Sequence, residues 1–158
     1  MEILEYIPSY EEDIKNLLIE LQKYIISIDR DKYNIMTENY RQEYFNKTMS
    51  KIKENNGKIF LASDNNKIVG FVVGIIIEEE YTYDFKAPKG GRITELVVSK
   101  DFRAKGIGQL LLYKIEEYFK NIGCKRILIE VFEYNDVAKD FYYKNHYSNR
   151  VIDIMKKI

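Results

Sequence analysis

The sequence predicts an α/β fold, one mixed sheet with helices on both faces, and three observations predict it. Short β-rich apolar runs bounded by turn residues alternate with longer stretches whose apolar residues recur every three or four positions. Their order is β, two helices, three strands, helix, strand, helix, strand. No repeat, low-complexity tract or linker interrupts that order, so residues 1–158 are expected to form one domain.

Each element has its own warrant. Met1 to Ile7 alternates as a short strand. Pro8-Ser9 followed by Glu11, Glu12 and Asp13 is a helix start, with acids against the positive end of the helix dipole. In that helix Ile14, Leu17, Leu18, Leu21, Ile25 and Ile28 share one face and predict core. A second helix is expected from Thr37 to Glu54, carrying Tyr40, Tyr44, Phe45, Met49 and Ile52 and closed by Asn55-Asn56-Gly57. Lys58 to Ser63 and Lys67 to Ile77 are strands joined by the turn Asp64-Asn65-Asn66, which predicts an antiparallel pair. Glu78 to Gly91 mixes acids, tyrosines, Pro88 and a glycine pair, and reads as a long hairpin loop before the strand Arg92 to Val98. The next helix starts near Gly106, buries Leu110, Leu111, Ile115, Tyr118, Phe119 and Ile122, and ends at Gly123. Lys125 to Val131 is then a strand, Asn135 to Lys144 a short helix, and Val151 to Lys156 a terminal strand.

Composition narrows the function classes. A chain of 158 residues with 46% hydrophobic and 32% charged residues has the balance of a folded domain. Its 25 basic and 25 acidic side chains cancel, leaving no net field to hold a polyanion, so nucleic acid is not an expected partner. Apolar runs such as Phe71 to Ile77 are too short to span a bilayer, and Glu2 and Glu5 stand where a secretory signal needs basic residues. A cytoplasmic location and no membrane partner are expected. Cys124 is the only cysteine and His146 the only histidine, which excludes an intramolecular disulfide and a Cys/His zinc cluster; no metal is expected.

The chemistry concentrates between the strand ending at Val98 and the helix beginning near Gly106. Helix amino termini expose unpaired N–H groups, Gly106 and Gly108 let a phosphate approach the backbone, and Arg103 and Lys105 add positive charge. The loop is an anion site in outline, though its spacing also fits a plain strand-to-helix turn whose glycines only relieve crowding. It lacks the Gly-Lys-Ser/Thr of a P-loop, and Leu111 stands at the third glycine of a dinucleotide fingerprint. Glu95 is a carboxylate in an otherwise apolar run; burial would raise its pKa toward neutrality and make it a candidate base, the alternative being a solvent-facing strand residue.

Arg103-Ala104-Lys105-Gly106-Ile107-Gly108, preceded by Glu95-Leu96-Val97-Val98, resembles the acetyl-CoA pyrophosphate loop of the GCN5-related N-acetyltransferases (GNAT), whose pattern is Arg/Gln, two residues, Gly, one residue, Gly/Ala. Asn135-Asp136-Val137-Ala138, with Phe141-Tyr142 and Tyr147, resembles the same family's later motif. The two blocks and the element order cover essentially the whole chain. The resemblance implies a GNAT-like mixed, mostly antiparallel central sheet in which the strand Leu96 to Val98 splays from Lys125 to Val131, with the pantetheine arm of acetyl-CoA in the gap. It implies backbone bonds to that arm near Leu96, Val97 and Val98, and amides of Arg103, Ala104, Lys105, Gly106, Ile107 and Gly108 on the pyrophosphate. The Asn135 side chain would bond the pantetheine. Tyr142 matches the tyrosine that protonates the departing thiolate, although most of the 14 tyrosines are expected to pack.

Two positions depart from the family pattern. Ala104 replaces the glycine common after the first Arg, and His146-Tyr147 replaces the Gly-Phe usual after the last helix, so His146 is a candidate for left-handed backbone. Cys124, at a helix-to-strand junction, reads as a small apolar residue and not as an acyl carrier. The expected function is direct acetyl transfer from acetyl-CoA to a primary amine of a small molecule or peptide, in a monomer or homodimer. The alternatives are an acetyl-CoA-binding sensor or scaffold without turnover, and an unrelated phosphate-binding protein. Glu78, Glu79, Glu80 and Asp84 beside the acceptor mouth suit a cationic acceptor.

Overall fold

The computed structural model describes residues 1–158. Its elements are β1 (Glu2–Glu5), α1 (Glu11–Ile28), α2 (Tyr40–Glu54), β2 (Lys58–Asp64), β3 (Lys67–Ile77), β4 (Glu80–Tyr81), β5 (Lys86–Ala87), β6 (Gly90–Val98), α3 (Ile107–Asn121), β7 (Arg126–Ile129) and α4 (Asp136–Lys144). The main sheet has the order β1-β2-β3-β6-β7. Every pair in it is antiparallel except β6 with β7, which is parallel. The expected mixed, mostly antiparallel sheet is therefore observed.

The pleat explains why β2 and β3 read as nearly continuous apolar runs. Ile59 and Leu61 point to one face, where Ile14, Leu17 and Leu18 of α1 and Phe45 of α2 cover them. Phe60 and Ala62 point to the other, under Leu111, Leu112, Ile115 and Phe119 of α3. A strand covered on both faces has no solvent side to alternate with. Helix α3 seats closely because two neighbouring strands carry glycine beneath it. A Cβ built on Gly91 would stand 2.4 Å from the Phe119 ring, and one on Gly74 2.5 Å from it. The ring occupies the space that those two missing side chains leave.

Four sequence expectations are corrected. The Gly90-Gly91 pair belongs to β6, pairing with Ile77 and Ile76 of β3, instead of closing a loop. The segment before it contains the small hairpin β4–β5. On α3 it is Leu112, fully buried, that faces the sheet with Leu111, while Leu110 is 45% exposed. Three consecutive leucines cannot all face one core, and period alone did not choose among them.

The fourth correction is the terminal strand Val151 to Lys156, which does not form. Residues 151–158 carry no regular structure, and Val151, Ile152, Ile154 and Met155 lie exposed. The segment is held instead by its cations: Arg150 over the Phe85 ring and Lys157 Nζ 2.9 Å from Asp31 Oδ1. Apolar, β-branched composition favours a strand only where an edge receives it, and the open side of β7 does not pair with residues 151–158. No helix is long and apolar enough to cross a membrane.

Candidate active site

The site begins with an irregularity in β6. Val73 faces Glu95 and the next β3 residue, Gly74, faces Ile93, so Thr94 is an extra residue, a β-bulge. The parallel ladder between β6 and β7 runs from Gly90 and Arg126 to Ile93 and Ile129 and stops there. From Thr94 to Val98, β6 continues with no strand on that side. The bulge and the end of the ladder coincide, so the two parallel strands part at the bulge and leave Leu96, Val97 and Val98 on an open edge. β7 is accordingly shorter than the expected Lys125 to Val131.

Beyond the open edge lies the loop into α3. Gly106 is the N-cap with φ +79°, and a Cβ there would meet nothing, so backbone conformation and not crowding calls for glycine. Ala104 also takes a left-handed conformation, φ 58°, at the position where the GNAT pattern has glycine. That costs on the order of 1 kcal/mol. No side chain caps α3. The amides of residues 104–109 donate no hydrogen bond within the chain; the first to do so is that of Leu110, to the Gly106 carbonyl at 3.1 Å. This row of free donors at a helix amino terminus is what a phosphate oxygen needs. The two cations of the motif are folded away from it. Arg103 Nε donates to the Val98 carbonyl at 3.0 Å, and Lys105 Nζ to the Asp101 carbonyl at 3.1 Å. The free donors of the loop are therefore backbone amides and not its cationic side chains. Gly108 turns toward Phe141 of α4 and Leu96 of β6, joining loop, helix and open strand at one point.

Helix α4 supplies the second motif. Asn135 is its N-cap, accepting the Ala138 amide at 3.1 Å. The helix ends in a Schellman motif: Tyr147 N–H donates to the Tyr142 carbonyl and His146 N–H to that of Tyr143, both at 3.1 Å. His146 takes the left-handed position at φ 66°, as its place in the motif suggested. The apolar contact that accompanies such a cap is Tyr147 edge-on to Tyr142, ring centroids 5.4 Å apart, and the Phe141 ring also packs on Tyr142 at 5.1 Å. Tyr142 is thus clamped and 6% exposed. Its hydroxyl bonds no protein group, and no buried polar side-chain atom lacks a partner, so the hydroxyl reaches the surface. Burial holds its pKa well above that of a free phenol.

Glu95 sits on the other side of the sheet, among Val97, Val73 and the α1–α2 layer, and is 4% exposed. Burial raises its pKa, while hydroxyl donors from Thr94 and from Tyr44, the latter at 3.0 Å, pull it back down. Burial and the Glu95 charge in turn raise Tyr44, and push Tyr40, stacked on it at 5.2 Å, up to about 12. The solvent-facing alternative for Glu95 is excluded. Cys124 is half-buried against the α3 core, and burial raises its thiol pKa, away from the thiolate an acyl carrier needs.

The structure brings the open edge Leu96 to Val98, the loop 103–108 and the α4 motif to one gap, and places Glu95 at the bulge where that gap starts. Sequence reasoning missed Glu20, Tyr24 and Tyr44. Tyr44 read as a packing residue of the second helix and Glu20 and Tyr24 stood outside any motif, and only the tertiary packing shows that they meet β6, its loop and Asn135.

Residues 23–147 match the model of the acetyltransferase (GNAT) family. The chain belongs to that family. An uncharacterized N-acetyltransferase of Methanocaldococcus jannaschii is 34% identical over 58% of this chain and 53% of its own length. The chain spans about half the length of the curated relatives it matches. Among solved structures, a mutant of the BH1408 protein from Bacillus halodurans superposes with TM-score 0.88 at 20% identity, covering 100% of this chain and 99% of that one. An aminoglycoside N-acetyltransferase in complex with CoA gives TM-score 0.68 at 15% identity, over 99% of this chain and 100% of that one. At such identities the likeness is one of GNAT fold.

Proposed function

We propose that this chain transfers the acetyl group of acetyl-CoA directly to a primary amine of a small molecule or peptide. The observation that carries the reading is the gap opened by the Thr94 bulge, flanked by a row of free amides at residues 104–109 and by α4, whose Tyr142 hydroxyl has no partner in the chain. The residues present fit the co-substrate. The amides suit its pyrophosphate, the open β6 edge at Leu96 to Val98 suits the amide-bearing pantetheine arm as an added strand, and Asn135 offers a further bond. Acetyl-CoA, when bound, supplies an activated acetyl thioester.

The chain's own residues position the reactants and move two protons. Glu95, with a pKa raised by burial, accepts the proton that the protonated amine must lose before its nitrogen can form the new C–N bond. Tyr142 donates its proton to the sulfur as the C–S bond breaks and regains one from solvent, to which the nitrogen loses its second proton as the amide forms. Burial keeps the Tyr142 phenol protonated at neutral pH, so the donor form is always present. Its raised pKa also makes donation to a thiolate uphill, since a free thiol titrates near ~8.5. The transfer is therefore drawn forward by thiol departure. Glu78, Glu79, Glu80 and Asp84, exposed around the β4–β5 hairpin, favour a cationic acceptor such as a polyamine, an aminoglycoside or a lysine side chain.

Release of free thiol from acetyl-CoA across such a panel of amines tests this reading. Amine-dependent release, falling about a hundredfold or more in kcat in Tyr142→Phe, is expected. Release indifferent to that substitution would remove Tyr142 as the acid, and no release with any amine would favour the binding module without turnover.

A further inference from the structure

Tyr24 stands on α1, outside both motifs, yet it touches both arms of the gap. Its hydroxyl donates to Asn135 Oδ1 at 3.2 Å. Its ring lies against the Arg103 guanidinium, 5.2 Å from the ring centroid, and the same guanidinium holds the Val98 carbonyl. Glu20, one turn earlier on α1, completes the attachment. It accepts the Ser99 hydroxyl at 3.1 Å and the Lys100 amide, and faces Arg103 at 3.7 Å. Helix α1 therefore fastens the loop that follows β6 to the residue that caps α4.

The bond to Asn135 has a chemical consequence. Asn135 Oδ1 receives two donors, the Tyr24 hydroxyl and the Ala138 amide. A carboxamide can present either end to a ligand, and two donors on one oxygen settle which end that is. The oxygen is committed inward, and Nδ2, which bonds nothing in the chain, is left to donate.

We propose that Tyr24 is a positioning residue for the co-substrate: it fixes the Asn135 carboxamide as a donor toward a carbonyl of the pantetheine arm, and couples that anchor through Arg103 to the pyrophosphate loop. This rests on the acetyl-CoA reading above. Two predictions separate it from a merely structural role. The effect is confined to ligands that carry pantetheine, and it vanishes once Asn135 is gone.

The experiment is calorimetric titration of wild type, Tyr24→Phe, Asn135→Ala and the double variant with CoA, and with adenosine 3′,5′-bisphosphate, which lacks the arm. Each single variant should weaken CoA by roughly three- to tenfold, the size of one lost hydrogen bond, and leave adenosine 3′,5′-bisphosphate within about twofold. The double variant should bind CoA no more weakly than Asn135→Ala alone. Tyr24→Phe keeps the ring against Arg103, so its unfolding midpoint should match wild type. Unchanged CoA affinity in Tyr24→Phe, equal weakening of both ligands, or losses that simply add would overturn the inference. Wild-type protein that bound neither ligand would remove the acetyl-CoA reading itself, and this inference with it.

Discussion

Glu95 combines a buried carboxyl with two hydroxyl donors, and its stability contribution has a definite sign. Its folded pKa is raised, chiefly by burial, so the stability linked to it is fully present below the unfolded value near ~4.3 and is lost as pH rises through the folded value. Glu95→Gln removes the buried charge while keeping shape. Urea midpoints should therefore show the variant gaining on wild type as pH rises above the unfolded value, until Glu95 is ionised in the folded chain as well; a difference flat in pH throughout would mean that the carboxyl is not desolvated as described. Glu95 was legible because a carboxylate interrupts an apolar strand. Its hydroxyl partners were not, since Tyr44 lies 51 residues away and reaches it only through packing. His146 was legible in the same limited way: its place in the motif fixed its left-handed backbone, while the Tyr142–Tyr147 contact that the turn creates needed coordinates.

Helix α3 and the strands under it show how much a local pattern can say. The apolar period located the helix, and Gly106 and Gly123 marked its ends. The pattern could not orient the leucine triplet or explain Gly74 and Gly91, because both depend on where Phe119 meets the sheet. The same substitution should accordingly have different results at two glycines. Gly91→Ala drives a methyl into the Phe119 ring and should destabilise by about 1–3 kcal/mol. Gly108→Ala meets Phe141 at an ordinary 3.6 Å and should leave the denaturation midpoint nearly unchanged. Equal midpoints for the two variants would contradict the close seating of α3. The missing terminal strand is the converse lesson: Val151 to Lys156 is rich in apolar and β-branched residues, but whether it pairs is decided by the edge it meets and by the cations that hold it elsewhere.

Across the whole molecule, one inserted residue at Thr94 organises the site. It ends the β6–β7 ladder, opens the edge Leu96 to Val98, and turns Glu95 toward the α1–α2 layer while α3 and α4 close the other side. Nothing in the sequence marks Thr94 as a bulge, since an extra residue shows only against its partner strand. The family resemblance of the two motifs nevertheless implied that β6 and β7 splay, and their ladder does end at Ile93 and Ile129. If the gap is a co-substrate site, ligand must stabilise the folded chain by mass action, about 2.7 kcal/mol at a hundredfold excess over Kd.

Calorimetric titration of the wild-type protein with acetyl-CoA, in competition with ATP and NAD, tests this most directly. Saturable one-to-one binding that a large excess of ATP or NAD fails to displace is the predicted result. Absence of acetyl-CoA binding, or displacement by either nucleotide at equal concentration, would contradict it.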